Sequence, residues 1–304
     1  LFSDPCVHKT MLANSIQLFT DQPALFAFLV GLLGLFVGSF LNVVIYRLPL
    51  RLQYEWKTEC RSLLELDQKA DDQNIPANIA TSRSRCPHCG HNITALENIP
   101  VVSYLVLRGK CSECGKSISI RYPAVEILTA GLSGLIAAYF GVTALTAFLL
   151  VFTWSLIALS FIDFDHHLLP DKIIYPVLWL GLLINSQGLL TDFHSSLYGA
   201  IAGYMMLWSV YQLFKLLTGK EGMGYGDFKL LALIGAWLGW QMLPVTILLA
   251  SVIGAIVGIA GIHILGRDRQ VPIPFGPYLS AAGFVALIEG QALIDSYFLL
   301  AGIG

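Results

Sequence analysis

The sequence predicts an all-α polytopic membrane protein of about eight transmembrane helices, with one small soluble insertion between the first helix and the second. Three observations carry this expectation. The 304 residues are 56% hydrophobic and 12% charged, with a mean hydropathy of +0.69, whereas a soluble domain holds about 25% charged residues. Apolar runs recur at lengths suited to a hydrocarbon layer about 30 Å thick. The charge is also concentrated: of 18 Lys+Arg, 11 fall between Arg47 and Arg121, with 8 acidic residues from Glu55 to Glu113. A net charge of −2 offers no case for nucleic-acid binding.

Residues 1–10 precede Met11 and are set aside as a candidate non-native segment within a tail spanning 1–24. The run Leu25 to Ile45 is too long for a signal-peptide core, ends in basic residues and has no small-residue cleavage site. It reads as a retained span over 25–46. Residues 47–123 form the insertion, where the longest apolar run, Ile99 to Leu107, is nine residues. The remainder, 124–304, supplies seven more helices at about 124–141, 142–162, 173–190, 197–214, 228–242, 244–265 and 277–301. The join at Tyr139-Phe140-Gly141 is tight and the 228–242 run is short, so seven helices is the chief competing count.

With eight helices the connecting segments alternate cleanly. One side holds 47–123, Lys172, the stretch with Lys215, Lys220 and Lys229, and the loop with Arg267 and Arg269. The other side carries only Lys9. Seventeen of eighteen basic residues on one side marks that side as cytoplasmic.

Two matched knuckles stand in the insertion, Arg85-Cys86-Pro87-His88-Cys89-Gly90 and Lys110-Cys111-Ser112-Glu113-Cys114-Gly115, with 21 residues between the inner cysteines. A CxxC turn lets two thiolates face one ion, and the following glycine permits the left-handed backbone that aims amides at sulfur. Cys86, Cys89, Cys111 and Cys114 therefore suit structural zinc, which would fold a segment too small to hold its own core. Redox-active pairs or disulfides are the alternative, and a reducing cytoplasm disfavours disulfides. His88 and His91 are read as surface residues, and Cys6 and Cys60 have no partner spacing.

Acidic residues gather where apolar helices end. One run closes in Asp163-Phe164-Asp165-His166-His167-Leu168-Leu169-Pro170-Asp171, and its helix is expected to reach Asp163 or one turn further, because Pro170 disfavours helix at Leu169. The second site is Gly222-Met223-Gly224-Tyr225-Gly226-Asp227, whose alternating glycines are expected to leave an extended, open backbone before Asp227. An ionisable group at that depth is a functional candidate. Two carboxylates that converge share one proton, so one acts as base and the other as acid on a water molecule. The same positions also fit a pair of anchoring charges flanking a flexible glycine linker.

These motifs closely resemble the type IV prepilin peptidases, the bacterial inner-membrane GxGD aspartic proteases. The resemblance runs from about Phe36 and includes Gly38 through Pro49, both CxxC knuckles, Glu97-Asn98-Ile99-Pro100, Arg121 through Glu126, Asp163 through Asp171 and Gly222 through Lys229. It implies that Asp163 and Asp227 are the catalytic aspartates, that Gly224 and Gly226 shape the second motif, and that Asp165 and Asp171 are secondary. Lys229 would orient substrate or aspartate, or else reach the interface as an ordinary lysine.

The resemblance further implies a multi-pass enzyme of the bacterial inner membrane, with its insertion and active site cytoplasmic and its tail periplasmic. Such enzymes cut the basic leader from type IV prepilins and type II secretion pseudopilins. Many then methylate the new N-terminus with S-adenosylmethionine, an activity associated with the cysteine-bearing insertion, so a bifunctional enzyme is expected over a peptidase alone. There is no glycine-rich dinucleotide fingerprint. Glu126 and Asn42 are the candidates for methyl-donor binding, with interhelical hydrogen bonding as the competing role. A transporter would place charge near the midplane of its spans, and here the acidic residues of both motifs sit at the cytoplasmic edge, with Glu126 as the exception inside a span.

Overall fold

The computed structural model describes residues 17–65, 76, 78–79, 83–265 and 273–300. The tail residues Cys6 and Lys9 and the loop residues Arg267 and Arg269 lie outside the described residues. Nine α-helices are named here: α1 (Pro23–Leu63), α2 (Val102–Val106), α3 (Arg121–Phe140), α4 (Ala144–His166), α5 (Asp171–Asn185), α6 (Phe193–Thr218), α7 (Tyr225–Leu238), α8 (Leu243–Leu265) and α9 (Gly276–Leu300). The eight apolar runs each correspond to one of the eight longer helices.

Six of these are long and apolar enough to cross a membrane, and the chain is an all-α polytopic membrane protein. The other two are α5, with 15 residues, and α7, with 14. At 1.5 Å per residue they reach only about 21–23 Å. The expectation of about eight spans is thus met in helix number, while length and composition qualify six.

Helix α1 departs most from expectation. It does not stop near residue 46 but continues as one 41-residue helix to Leu63. Pro49 lies inside it. Beyond Arg47 the sequence offers Arg51, Gln53, Glu55, Lys57 and Glu59, good helix formers with an Arg51–Glu55 pair at i, i+4. Hydropathy marks where apolar sequence ends, which is not where a helix ends.

The chain divides into two compact units, Leu1–Trp154 and Ser155–Gly304. In the first, α1 packs along α3 through small residues. A Cβ on Gly34 would lie 2.9 Å from Ala130 Cα, and one on Gly38 would lie 2.7 Å from Glu126 Cα. Close backbone approach of this kind replaces hydrophobic driving force inside lipid. Ser133 and Thr129 satisfy their hydroxyls on carbonyls one turn back, and Trp154 Nε1 donates to Ser133 Oγ at 2.9 Å.

The second unit is built around α7, whose residues from Asp227 to Leu238 are buried with the exception of Lys229. Protein surrounds this helix, so it has no need to match the thickness of a bilayer. Gly181 of α5 leaves room for the Trp237 ring, whose Nε1 donates to Val177 O at 2.9 Å. Asn185 caps the far end of α7 by donating to the carbonyls of Ala236 and Trp237, each at 3.0 Å.

Candidate active site and metal centre

Helix α4 passes Asp163 and ends one turn on, at His166, where His167 adopts φ 52° and donates its N–H to Asp163 O at 2.9 Å. Pro170, in extended geometry, then begins α5 at Asp171. The Asp163 side chain is therefore held by helix and faces inward, with 6% of the residue exposed, while Asp165 on the same turn is exposed.

The glycine-rich motif differs from expectation in one respect. Gly224 is extended (φ −79°, ψ 148°) and precedes the first helical residue, but Gly226 and Asp227 already belong to the first turn of α7. Gly226 is needed there for space. A Cβ on it would lie 2.8 Å from Leu169 Cβ, so the loop after α4 packs directly on the start of α7. That contact draws the two acidic helix ends together. Asp227 is 8% exposed and lies close enough to Asp163 for the two carboxyls to interact electrostatically. An acidic residue in the first turn also suits the positive end of its helix.

Neighbouring groups brace this arrangement. Lys229 Nζ donates to both oxygens of Asp171, at 2.8 and 2.9 Å, and lies 5.5 Å from the Tyr175 ring centroid. Tyr211, Tyr225 and Phe228 form a triangle of rings with centroids 5.5–5.6 Å apart. Lys215 donates to Glu221 Oε1 at 2.8 Å, which closes the loop after α6 and holds the Glu221 carboxyl below the usual carboxylate range.

A further contact to Asp163 comes from a residue that the sequence reading passed over. Gly276, the first residue of α9, donates its backbone N–H to Asp163 Oδ2 at 3.0 Å across 113 positions. The signal was present as Pro274-Phe275-Gly276-Pro277, since proline just inside a helix start marks an N-terminus.

In the insertion the two knuckles repeat each other. Cys86 N–H donates to His91 O and Cys111 N–H to Lys116 O, both at 2.9 Å. Gly90 and Gly115 take φ 74° and 66°. The four Sγ atoms of Cys86, Cys89, Cys111 and Cys114 all lie within 4.8 Å of one another, and the Cys86–Cys114 and Cys89–Cys111 pairs are 3.9 and 4.0 Å apart. Sulfurs about 2.3 Å from a tetrahedral ion stand about 3.8 Å from each other, so the cluster fits a metal of that size. A disulfide, with sulfurs about 2.05 Å apart, does not match these distances.

Glu97, which the sequence reading quoted only as part of a motif, ties the knuckles together. It accepts from Thr94 N–H and Thr94 Oγ1, both at 2.8 Å, from Ser112 Oγ, and lies 3.3 Å from His91 Nε2. The Ser112 hydroxyl, with the Thr94 amide and hydroxyl, pulls its carboxyl down to about 2. Thr94-x-x-Glu97 is a capping box, legible in advance from its spacing.

The remaining candidates, Glu126 and Asn42, both hold backbone. Glu126 Oε2 accepts Val101 N–H at 2.8 Å, and Val101 sits at φ 61°, a costly setting for a β-branched residue. Asn42 donates to Tyr122 O at 3.0 Å.

Apolar spans, two inward carboxyls at adjoining helix ends and a four-thiol cluster define the class: a polytopic membrane protein with a candidate acid-pair centre and a candidate metal centre. Comparison narrows it. Residues 32–140 match the bacterial peptidase A24 N-terminal domain and residues 150–259 match the type IV leader peptidase family, a boundary close to that between the two compact units. A protein of Stutzerimonas stutzeri named prepilin leader peptidase/N-methyltransferase is 52% identical over 94% of this chain and 98% of its own length. Proteins of the same name from Pseudomonas aeruginosa and Aeromonas hydrophila are each 51% identical, over 93% and 94% of this chain and 97% and 98% of theirs. No solved structure matches. The chain belongs to the type IV leader peptidase family.

Proposed function

We propose that this protein removes the basic leader from type IV prepilins and type II secretion pseudopilins, and then N-methylates the exposed residue with S-adenosylmethionine. The observation that carries the peptidase reading is the pair Asp163 and Asp227, buried at neighbouring helix ends and within electrostatic reach. Between them they hold one proton. The ionised carboxylate takes a proton from water as the water oxygen attacks the scissile carbonyl, and the protonated partner donates to the carbonyl oxygen. Collapse of the tetrahedral intermediate then returns a proton to the leaving amine. Leader acid and free pilin amine are the products. That amine attacks the sulfonium methyl carbon of the donor, S-adenosylhomocysteine leaves as the neutral thioether, and the methylated nitrogen loses a proton.

Seventeen of eighteen basic residues on one side support a bacterial inner-membrane enzyme whose carboxyl pair and insertion face the cytoplasm. A substrate helix entering with its leader inside presents its cut site at that depth, leaving leader lysines and arginines near anionic headgroups. We assign Lys229 and Asp171 the task of locking α7 to the start of α5, Glu126 that of anchoring the insertion to α3, and Asn42 that of tying α1 to the first turn of α3.

The test is to incubate the purified protein in detergent with a prepilin and S-adenosylmethionine and then to weigh the intact substrate. Loss of the leader followed by a gain of one methyl group is expected. Leader loss without the methyl gain would leave a peptidase alone, and an unchanged substrate would overturn the proposal.

We assign zinc to the four thiols. It would supply no catalysis; it would hold the two knuckles together in a segment with little core. Metal analysis is expected to find one zinc ion per chain, lost from a Cys86→Ser, Cys111→Ser double variant together with protease resistance of the insertion. A metal-free protein with the insertion intact would contradict this.

A further inference from the structure

We propose that the backbone N–H of Gly276 is the positioning group of the acid pair: it fixes Asp163 and makes it the base, with Asp227 as the proton donor. This rests on the reading of Asp163 and Asp227 as catalytic, and adds what tells the two carboxyls apart.

The argument begins with backbone hydrogen bonds at the start of α9. The first N–H groups of a helix have no intrahelical acceptor. Pro277 carries no N–H, and Tyr278 and Leu279 both donate to Phe275 O at 3.1 Å. Gly276 is left to aim its N–H at Asp163 Oδ2, 3.0 Å away. Both residues are buried.

The approach depends on the missing side chain. A Cβ on residue 276 would stand 2.6 Å from Asp163 Oδ2, 3.1 Å from its Cγ and 3.3 Å from its Cβ. No alanine fits unless the carboxyl moves. Gly276 takes an ordinary helical backbone rather than a left-handed one, so space, not conformational freedom, is what glycine supplies here.

The chemical consequence follows from donor counting. An oxygen that accepts a peptide N–H in line is not the oxygen that carries a proton. Oδ2 of Asp163 is thereby committed as an acceptor at the positive end of a 25-residue helix. Oδ1 remains to take the proton from water. The shared proton then resides on Asp227, whose carboxyl is approached by the backbone at Gly224 but receives, among the described residues, no in-line N–H like that of Gly276 on Asp163. In the bond-making step, water oxygen bonds to carbonyl carbon, its proton passes to Asp163 Oδ1, and the Asp227 proton passes to the carbonyl oxygen. Charge and atoms balance with no further reactant.

The experiment replaces one amide by an ester in the full-length protein, inserting glycolic acid at position 276 so that the N–H is lost and no atom is added to the side chain. A matched ester at position 278, using the hydroxy-acid analogue of tyrosine, removes an N–H from the same turn that does not face Asp163. Leader removal is measured as kcat and KM on a prepilin, and methyl transfer onto an already cleaved pilin reports the intact fold. The ester at 276 is expected to lower kcat about ten- to hundredfold, with KM and methyl transfer unchanged. The ester at 278 should leave kcat unchanged. Gly276→Ala is expected to lose more than the ester, because it also displaces the carboxyl.

A kcat within about threefold of the parent for the 276 ester, or equal losses at 276 and 278, overturns the proposal. Asp163→Asn and Asp227→Asn are measured alongside. Should both abolish cleavage while the 276 ester is normal, only the role of Gly276 fails. Should either Asn variant cleave normally, the acid pair itself fails.

Discussion

Asp163→Asn and Asp227→Asn are each expected to reduce leader removal by about 10⁴-fold, with the protein still present at its usual level and still able to methylate a pre-cleaved pilin. Asparagine matches aspartate in size, so packing around a residue only 6% or 8% exposed is preserved. What disappears is the ability to pass a proton. The two effects should not multiply: a unit that needs both members is already inactive when one is gone. The double variant is therefore expected to be no slower than either single one. Two anchoring charges would behave differently, losing membrane level rather than turnover, and Asp165→Asn, exposed on the same helical turn, is the natural comparison.

Gly235→Ala is expected to be the most damaging single substitution outside the acid pair. A Cβ there would lie 2.2 Å from Gly199 O and 2.5 Å from Gly199 C, backbone atoms that cannot rotate away. The reciprocal change, Gly199→Ala, meets Gly235 O at 2.2 Å. Either change forces α6 away from α7, the helix that carries Asp227, and overpacking of this severity costs about 3 kcal/mol. Thermal unfolding in detergent should show a clear fall in Tm, with leader removal impaired below that temperature too. Gly131→Ala is the control. Nothing lies within 4 Å of its Cβ position, and it sits in mid-helix at an exposed place. It should be neutral, or more stable by up to about 1 kcal/mol. Equal Tm for Gly235→Ala and the parent would refute the close-packing account.

Much of this architecture was legible from residue order. Runs of apolar residues find all eight longer helices, with bounds off by at most five positions except at the far end of α1, and the paired CxxC turns bring four sulfurs together as their spacing requires. The misreadings share a physical cause. Residue 46 ends the apolar stretch of α1 but not its hydrogen-bonded ladder, because charged helix formers continue the helix where hydropathy sees only polarity. Helix α7 looks too short for a span because its surroundings are protein. Gly226 reads as a breaker, yet it is a helical residue whose bare Cα accepts Leu169. No local rule anticipates a contact between Asp163 and Gly276, which fold geometry alone brings together. The capping box makes half of the Glu97 role legible, and its partner on the other knuckle, Ser112, lies 15 positions away.

Helix α1 has a mechanical side. At 41 residues it measures about 62 Å, roughly twice the hydrocarbon thickness. Arg47, near its midpoint, grips the insertion through the carbonyls of Asn78 and Arg83 at 2.7 and 3.2 Å. Such a rod is a lever with its fulcrum at the headgroups: tilting the embedded half by 10° swings the free end by roughly 5 Å. That swing falls on the charged end of α1 beyond Arg51, while the insertion stays tied at Arg47 and, through Val101 and Glu126, to α3.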